Sequence, residues 1–242
     1  MSLDFLVPAA PAAVARSPMQ ASCAAAGARF EVRSGWNVPI AYGPDADGER
    51  DAAERAAGWA DVSHLRKLEF QGSPEALDQL AGARLKLGSA TRSQASWWCP
   101  LTPNRALLIG DPAPVAAARE RLAAADADAA AGRISMIDVT TTFAALTLVG
   151  PAATEVLARF TALDLRSKRT PVGALRPGSI ARQPAILIRE AATRYLFMFG
   201  WATAEYVWSV VADAGEHLGG RAIGADALVG LTDTAPTGAG HA

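Results

Sequence analysis

Leu68 and Phe70 alternate with the polar residues Lys67, Glu69 and Gln71, and this period of two predicts a half-buried strand that stops at Gly72. Ser73-Pro74, followed by Ala76, Leu77 and Leu80, predicts a helix with proline in its first turn. The same pattern returns at Leu146, Leu148 and Gly150-Pro151, followed by Ala153, Val156 and Leu157. A second pair matches likewise: Arg105 to Gly110 leads into a helix over Val115 to Ala125, and Arg194 to Gly200 into one over Ala202 to Glu216. Gly72 and Gly150 stand 78 positions apart and Gly110 and Gly200 stand 90 apart, which points to a duplicated β–α module.

Further strands are expected over Ala95 to Pro100, Ile134 to Val139, Ala144 to Val149 and Ala185 to Arg189, the last joined to Tyr195 to Phe199 by a hairpin-length link, Glu190 to Thr193. Tyr206, Val207, Val210, Val211 and Ala214 recur at helical spacing, so the last helix has an apolar face that can lie on a sheet. Upstream, Gly35 to Gly43 reads as turn, and Glu49 to Ala57 as a short amphipathic helix closed by Gly58. The expected class is α+β, with duplicated β–α modules forming antiparallel or mixed sheets covered by helices. Residues 1–15 read as a flexible tail, 16–228 as one domain with halves of about 16–130 and 131–228, and 229–242 as a disordered tail.

Half of the 242 residues are apolar, enough for a sizeable core. Lys plus Arg is 23 against 24 for Asp plus Glu, and no basic block or aromatic-basic interleaving occurs along the chain, so nucleic acid is not an expected partner. No run reaches the ~18 apolar residues that span a bilayer, so no membrane association is expected either. The Ala-rich start lacks a positive region and is broken by Pro8 and Pro11, unlike a secretory signal. Cys23 and Cys99 fall outside any Cys-x-x-Cys spacing, which disfavours zinc, a redox pair or a disulfide framework; a cytoplasmic setting follows most simply.

Candidate chemistry gathers at Asp61, Ser63 and His64. Asp61 with Ser63 fits an Asx turn before the strand, and His64 fits either a ligand contact or a local hydrogen-bond network. A Ser-His-Asp hydrolase is not indicated, because the Gly-x-Ser-x-Gly elbow is missing. Arg189 and Glu190 read either as parts of a ligand site or as a solvated hairpin end, and the six tryptophans as core or interface. Asp138 reads as a strand-end residue facing solvent or bonded to a backbone amide, and the Gly150-Pro151 turn is too common a feature to assign a phosphate.

Gly35-Trp36-x-Val38-Pro39-x-x-Tyr42, a Glu-containing helix, and Gly58-x-x-Asp61-Val62-Ser63-His64-Leu65-x-Lys67-Leu68-Glu69-x-x-Gly72 resemble the opening of the glycine-cleavage T-protein (aminomethyltransferase) family. Ile137-Asp138-Val139-Thr140, Ala145 to Leu157, Leu163-Asp164-Leu165, Pro184 to Arg189 and Tyr195 resemble the gamma subunit of heterotetrameric sarcosine oxidase, a reduced relative of that fold. Together the two resemblances span roughly residues 17–228. They imply the N-terminal part of a T-protein-like fold without the C-terminal barrel, and make Asp61, Ser63, His64, Leu65 and Arg189 vestigial folate-site candidates. Tetrahydrofolate is then the ligand to consider, with FAD, FMN and NAD expected in partner chains.

Departures from the family shape the functional expectation. The Gly-rich hairpin ending in paired Asp has no counterpart between Ser89 and Gly110, and Leu187 to Thr193 stands where the folate-gripping Tyr-Thr-Gly-Glu run belongs. The Lys-Gly-Cys motif of folate-binding iron-sulfur maintenance proteins does not occur. The expected role is a non-catalytic gamma-type subunit held by alpha and beta subunits, or by self-association, in a complex that oxidatively demethylates an N-methyl amine. The alternative is a stand-alone folate-binding aminomethyltransferase-like protein.

Overall fold

The computed structural model describes residues 14–43, 46–126 and 134–231. In chain order the elements begin with β1 (Ala15–Arg16), α1 (Gln20–Ala25), β2 (Arg29–Arg33), β3 (Trp36–Ala41), α2 (Ala46–Arg55), β4 (Gly58–Asp61), β5 (Arg66–Gln71) and α3 (Pro74–Ala81). Next come β6 (Thr91–Ser93), β7 (Ser96–Thr102), β8 (Arg105–Gly110), α4 (Pro112–Asp126), β9 (Ser135–Asp138), β10 (Phe143–Val149) and α5 (Ala153–Ala158). The chain continues through β11 (Leu175–Ile180), β12 (Gln183–Ala191), β13 (Arg194–Gly200), a 3-10 turn, α6 (Ala204–Glu216), β14 (Arg221–Ala222) and α7 (Ala225–Gly230).

Two large sheets carry the fold. The first has strand order β6-β7-β8-β5-β9 and the second β11-β12-β13-β10-β4-β14, while β1-β3-β2 form a small third sheet. The module β5-α3-β6-β7-β8-α4 therefore recurs as β10-α5-β11-β12-β13-α6, as the paired glycines suggest. Each sheet also takes a strand from elsewhere: β4 pairs with β10, and β9 pairs with β5. No closed barrel forms among the described residues.

Helices cover the outer face of each sheet and the inner faces meet. On β13, Tyr195, Phe197 and Phe199 join the core shared with Val207 and Val211 of α6, whereas Leu196 and Met198 face the first sheet. On β8, Leu107 and Ile109 face the second sheet, while Ala106 and Leu108 pack under α3 and α4. Strands buried on both faces need apolar residues throughout, hence the continuous runs at Ala106 to Ile109 and Tyr195 to Phe199. Helix α3 shows the local encoding: Ser73 accepts the Ala76 amide at 3.2 Å, Pro74 opens the first turn, and Gly82 closes the helix at φ +64°.

One stretch differs from its sequence pattern, and a second agrees with its reading. Gly35 to Gly43 holds the whole of strand β3, buried along nearly its whole length and so without the alternation that marks a half-buried strand. Gly150 does not cradle a phosphate. It sits at φ +108°, where an added Cβ would stand 2.2 Å from the Ala53 carbonyl oxygen and 2.6 Å from that of Ala56, an environment that repels anions.

The N-terminal elements are fastened by Glu49. Its Oε1 accepts the backbone amides of Tyr42 (2.6 Å) and Gly43 (2.9 Å), and its Oε2 accepts that of Gly224 (2.6 Å), in a setting that leaves the residue 1% exposed. One carboxylate thus joins α2, the end of β3 and the start of α7 through charge-assisted bonds. Gly224 must be glycine for this approach, since a Cβ would lie 1.9 Å from the Ile40 carbonyl oxygen. Glu49→Gln exchanges one acceptor for an NH2 group that meets an amide donor, so the variant is expected to lose roughly 2–4 kcal/mol of stability in urea denaturation, with the loss of α7 protection visible by hydrogen exchange.

Candidate functional site

Between the inner sheet faces lies a cavity of about 190 Å³ that opens into a mouth of about 480 Å³. Its walls come from Val62, His64 and Leu65 of the β4–β5 turn, Arg92, Ala95 and Trp97 of the β6–β7 hairpin, and Ile109 to Asp111 at the end of β8. Thr147 of β10, Glu190, Arg194 and Leu196 of the β12–β13 hairpin, and Ala225, Leu228 and Val229 of α7 complete it. Leu231 joins six of these residues at the mouth. The inner volume falls below the ~300–1,000 Å³ usual for a small-molecule pocket.

A polar cluster lines the mouth. The Trp97 indole donates to Glu190 Oε1 at 2.7 Å, and Arg194 Nε donates to Glu190 Oε2 at 3.0 Å. Arg194 Nη1 also donates to the Leu231 carbonyl at 3.0 Å, and the Arg92 guanidinium lies 5.3 Å from the centroid of the Trp97 ring. Both Glu190 oxygens are engaged, so this carboxylate is not free to grip a ligand edge. Glu190 is well buried and Arg189 is 8% exposed, so neither is a solvated hairpin end.

The five sequence candidates separate by face. Successive strand residues point to opposite sides. On β4, Trp59 joins the core under α6, and Asp61 on the same side accepts the weak Cys23 thiol contact at 3.9 Å. Ala60 and Val62 face the cavity side. Asp61 Oδ1 also accepts the Ser63 amide at 2.9 Å, closing the expected Asx turn. Burial pushes the Asp61 carboxyl up despite the Ser17 and Ser63 groups bonded to it.

Ser63 is fully buried and its Oγ accepts the Ala145 amide at 3.1 Å, fixing the turn to β10. His64 and Leu65 line the cavity. The imidazole has no hydrogen-bond partner among the described residues, unlike the local network expected for it. Burial first, then the charges of Lys67 and Arg33, lower it to about 4, so it is neutral near pH 7.

Arg189 lies three strands from β4 in the second sheet, on the order of 14 Å away at ~4.8 Å per strand. Its guanidinium donates to the carbonyls of Thr170 (2.8 Å), Ala192 (2.7 Å), Leu165 (3.3 Å) and Ala191 (3.3 Å), and stacks over Tyr195. It braces the hairpin and the loop before β11. The structure brings His64 and Leu65 together in the cavity and leaves Asp61, Ser63 and Arg189 outside its walls. Arg92, Thr147, Arg194 and α7 had no local signal, because Trp97 and Glu190 meet across 93 positions and α7 is short and apolar.

Behind the turn lies Lys67, fully buried, whose Nζ donates to the carbonyls of Ser63 (2.9 Å) and Leu65 (3.0 Å). Its backbone amide reaches Thr140 Oγ1 at 3.0 Å, and Thr140 in turn donates its amide to Asp138 Oδ1 at 3.0 Å, the strand-end role expected of Asp138. Lys67 therefore sets the shape of the turn that carries His64. The cavity offers a neutral imidazole, a threonine hydroxyl and aliphatic walls, with Asp111 at its edge.

Two packed sheets with helices outside and a cleft between them define an aminomethyltransferase-like fold. The profile of the GCVT N-terminal domain matches residues 113–232. An aminomethyltransferase from Frankia alni is 31% identical over 245 residues, covering 93% of this chain and 64% of the relative. One from Saccharopolyspora erythraea is 27% identical over 224 residues, 86% of this chain and 60% of the relative. The chain spans about three-fifths of the length of these curated relatives.

Aminomethyltransferase T of the glycine cleavage system from Bartonella henselae shares the fold with a TM-score of 0.70 at 19% identity, over 88% of this chain and 60% of that one. A chain of heterotetrameric sarcosine oxidase from Corynebacterium sp. U-96 shares it with a TM-score of 0.59 at 21% identity, over 72% of this chain and 92% of that one. The domain match, these relatives and these folds together support a T-protein-like superfamily assignment. No helix among the described residues is long and apolar enough to cross a membrane.

Burial lowers the Lys67 amine to about 7 from its ordinary 10.5. Between those values the unfolded chain holds one more proton than the folded one, so this group makes stability rise with pH from about 7 to 10.5; its cost is present in full below about 7. Lys67→Met removes that contribution. Relative to the variant, the parent chain is expected to gain on the order of 1.4 kcal/mol per pH unit across the window, measured by urea denaturation at several pH values; equal slopes would contradict the assignment.

Proposed function

We propose that this protein is a non-catalytic, gamma-type subunit of a cytoplasmic sarcosine-oxidase-like complex, in which an N-methyl amine is oxidatively demethylated and its one-carbon unit passes to tetrahydrofolate. The observation that carries the reading is the engagement of Glu190: the acid on the hairpin of the second sheet, at the cavity mouth, is held by Trp97 and Arg194. A folate pterin needs paired polar groups aimed at its amide edge, because an unpaired buried edge costs several kcal/mol. Here this acid is turned to the protein's own indole and guanidinium.

The neighbouring sarcosine oxidase chain, nearly all of which is matched in fold, supports a subunit role. Alpha- and beta-type partner chains would carry the flavin and nicotinamide cofactors, and this chain would supply structure. Self-association is the other way its interaction surfaces could be covered.

The second reading is a stand-alone folate-binding aminomethyltransferase-like protein. It is favoured by the inner cavity itself, where neutral His64 and Thr147 face unfilled space. The two readings part in a melting titration. A subunit is expected to show no shift with tetrahydrofolate and to co-purify with flavin-containing chains encoded beside it. A binder at a hundredfold excess over Kd would instead be stabilised by about 2.7 kcal/mol, and that outcome would overturn the non-catalytic assignment.

A further inference from the structure

Away from the cavity, the connection from α3 to β6 and the connection from α5 to β11 meet. These are equivalent positions in the two modules. Leu175 N donates to the Gly88 carbonyl at 3.0 Å, Ala90 N to that of Gly173 at 2.8 Å, and Ser89 bridges to Ala174. The Arg176 guanidinium ties the loops together, donating from Nη1 to the Gly88 carbonyl at 2.8 Å and from Nη2 to the Arg169 carbonyl at 2.5 Å. Gly88 and Gly173, at φ +79° and +80°, supply the turns that let the backbones approach.

The joined loops concentrate one sign of charge. Residues 82–90 and 161–176 carry six of the chain's 23 Lys and Arg residues against a single acid, Asp164, although the whole chain has a net charge of −1. Asp164 is taken by Arg166, whose guanidinium, with further help from Arg169, holds that carboxyl down at about 2. Arg84, Lys86, Lys168 and Arg169 are exposed and have no ion-pair partner among the described residues. Leu87 and Val172 stand among them with 52% and 57% of their surface exposed. No sequence window reveals this surface, because its halves are about 80 positions apart.

We propose that this surface docks an acidic protein segment bearing aliphatic side chains. Four unpaired cations select carboxylates and steer their approach. The two aliphatic residues add contact that a purely ionic partner cannot use, and neither loop offers an aromatic ring for stacking nucleobases. The loops are already fixed by backbone bonds, so little ordering opposes association. The proposal is independent of whether the cavity holds folate.

The test uses the full chain and a short fluorescein-labelled peptide of alternating Glu and Leu, followed by anisotropy at several salt concentrations. Binding that weakens with salt is expected. Lys168→Glu with Arg169→Glu should weaken it at least about tenfold, and Leu87→Ser with Val172→Ser at least about threefold, both with unchanged melting temperatures because the sites are exposed. Absence of peptide binding, unaltered binding by the charge-reversed variant, or equal affinity for a Glu-only peptide would overturn the proposal. So would tighter binding of a single-stranded oligonucleotide or of phosphatidylserine vesicles.

Discussion

The carboxylate of Glu49 constrains more of this molecule than any other single group. Three backbone amides from two distant stretches, at Tyr42, Gly43 and Gly224, converge on it in a buried setting. Through that convergence α7 is drawn back against β3 and β4, and α7 in turn supplies a wall of the inter-sheet cavity. The cavity therefore depends on a charged group that does not line it. Its shape rests on an acid near the start of the chain and a helix near residue 230.

The same economy governs the other buried ionisable groups. Asp61 closes a turn, Lys67 holds the carbonyls of that turn, Arg189 braces a hairpin against a loop, and Glu190 is bound by indole and guanidinium. Each satisfies local backbone or a fixed side chain, as buried polar groups must. The cavity is lined by a neutral imidazole and a hydroxyl, with Arg92 and Asp111 beside them. A scaffold shared with aminomethyltransferases thus has these buried polar residues turned toward architecture, and a cluster of unpaired cations lies outside, where the two modules touch.

Much of the fold could be read from the chain. Strands β8, β10, β12 and β13 announce themselves as apolar runs because both their faces are covered, and α3 carries its cap and its proline in the sequence. Strand β11 was not legible: Pro177 and Gly178 look like a turn, yet β11 is an edge strand, where a proline lacking an amide proton is tolerated. Of the candidate residues, the family-like stretch Asp61 to Leu65 correctly marked a structured turn. Of it, Val62, His64 and Leu65 line the cavity, whereas strand alternation sends Asp61 to the opposite face. Arg92, Thr147 and Arg194 could not be foreseen, since their place depends on the meeting of two sheets rather than on neighbours in sequence.

The exchange of β4 and β9 between the two sheets carries a consequence for how the halves hold together. A module that lends a strand to its sister and borrows one in return leaves an unpaired edge when separated, and such edges invite aggregation. The interlocked pair thus resists separation: loss of either half would leave a strand edge of the other unpaired.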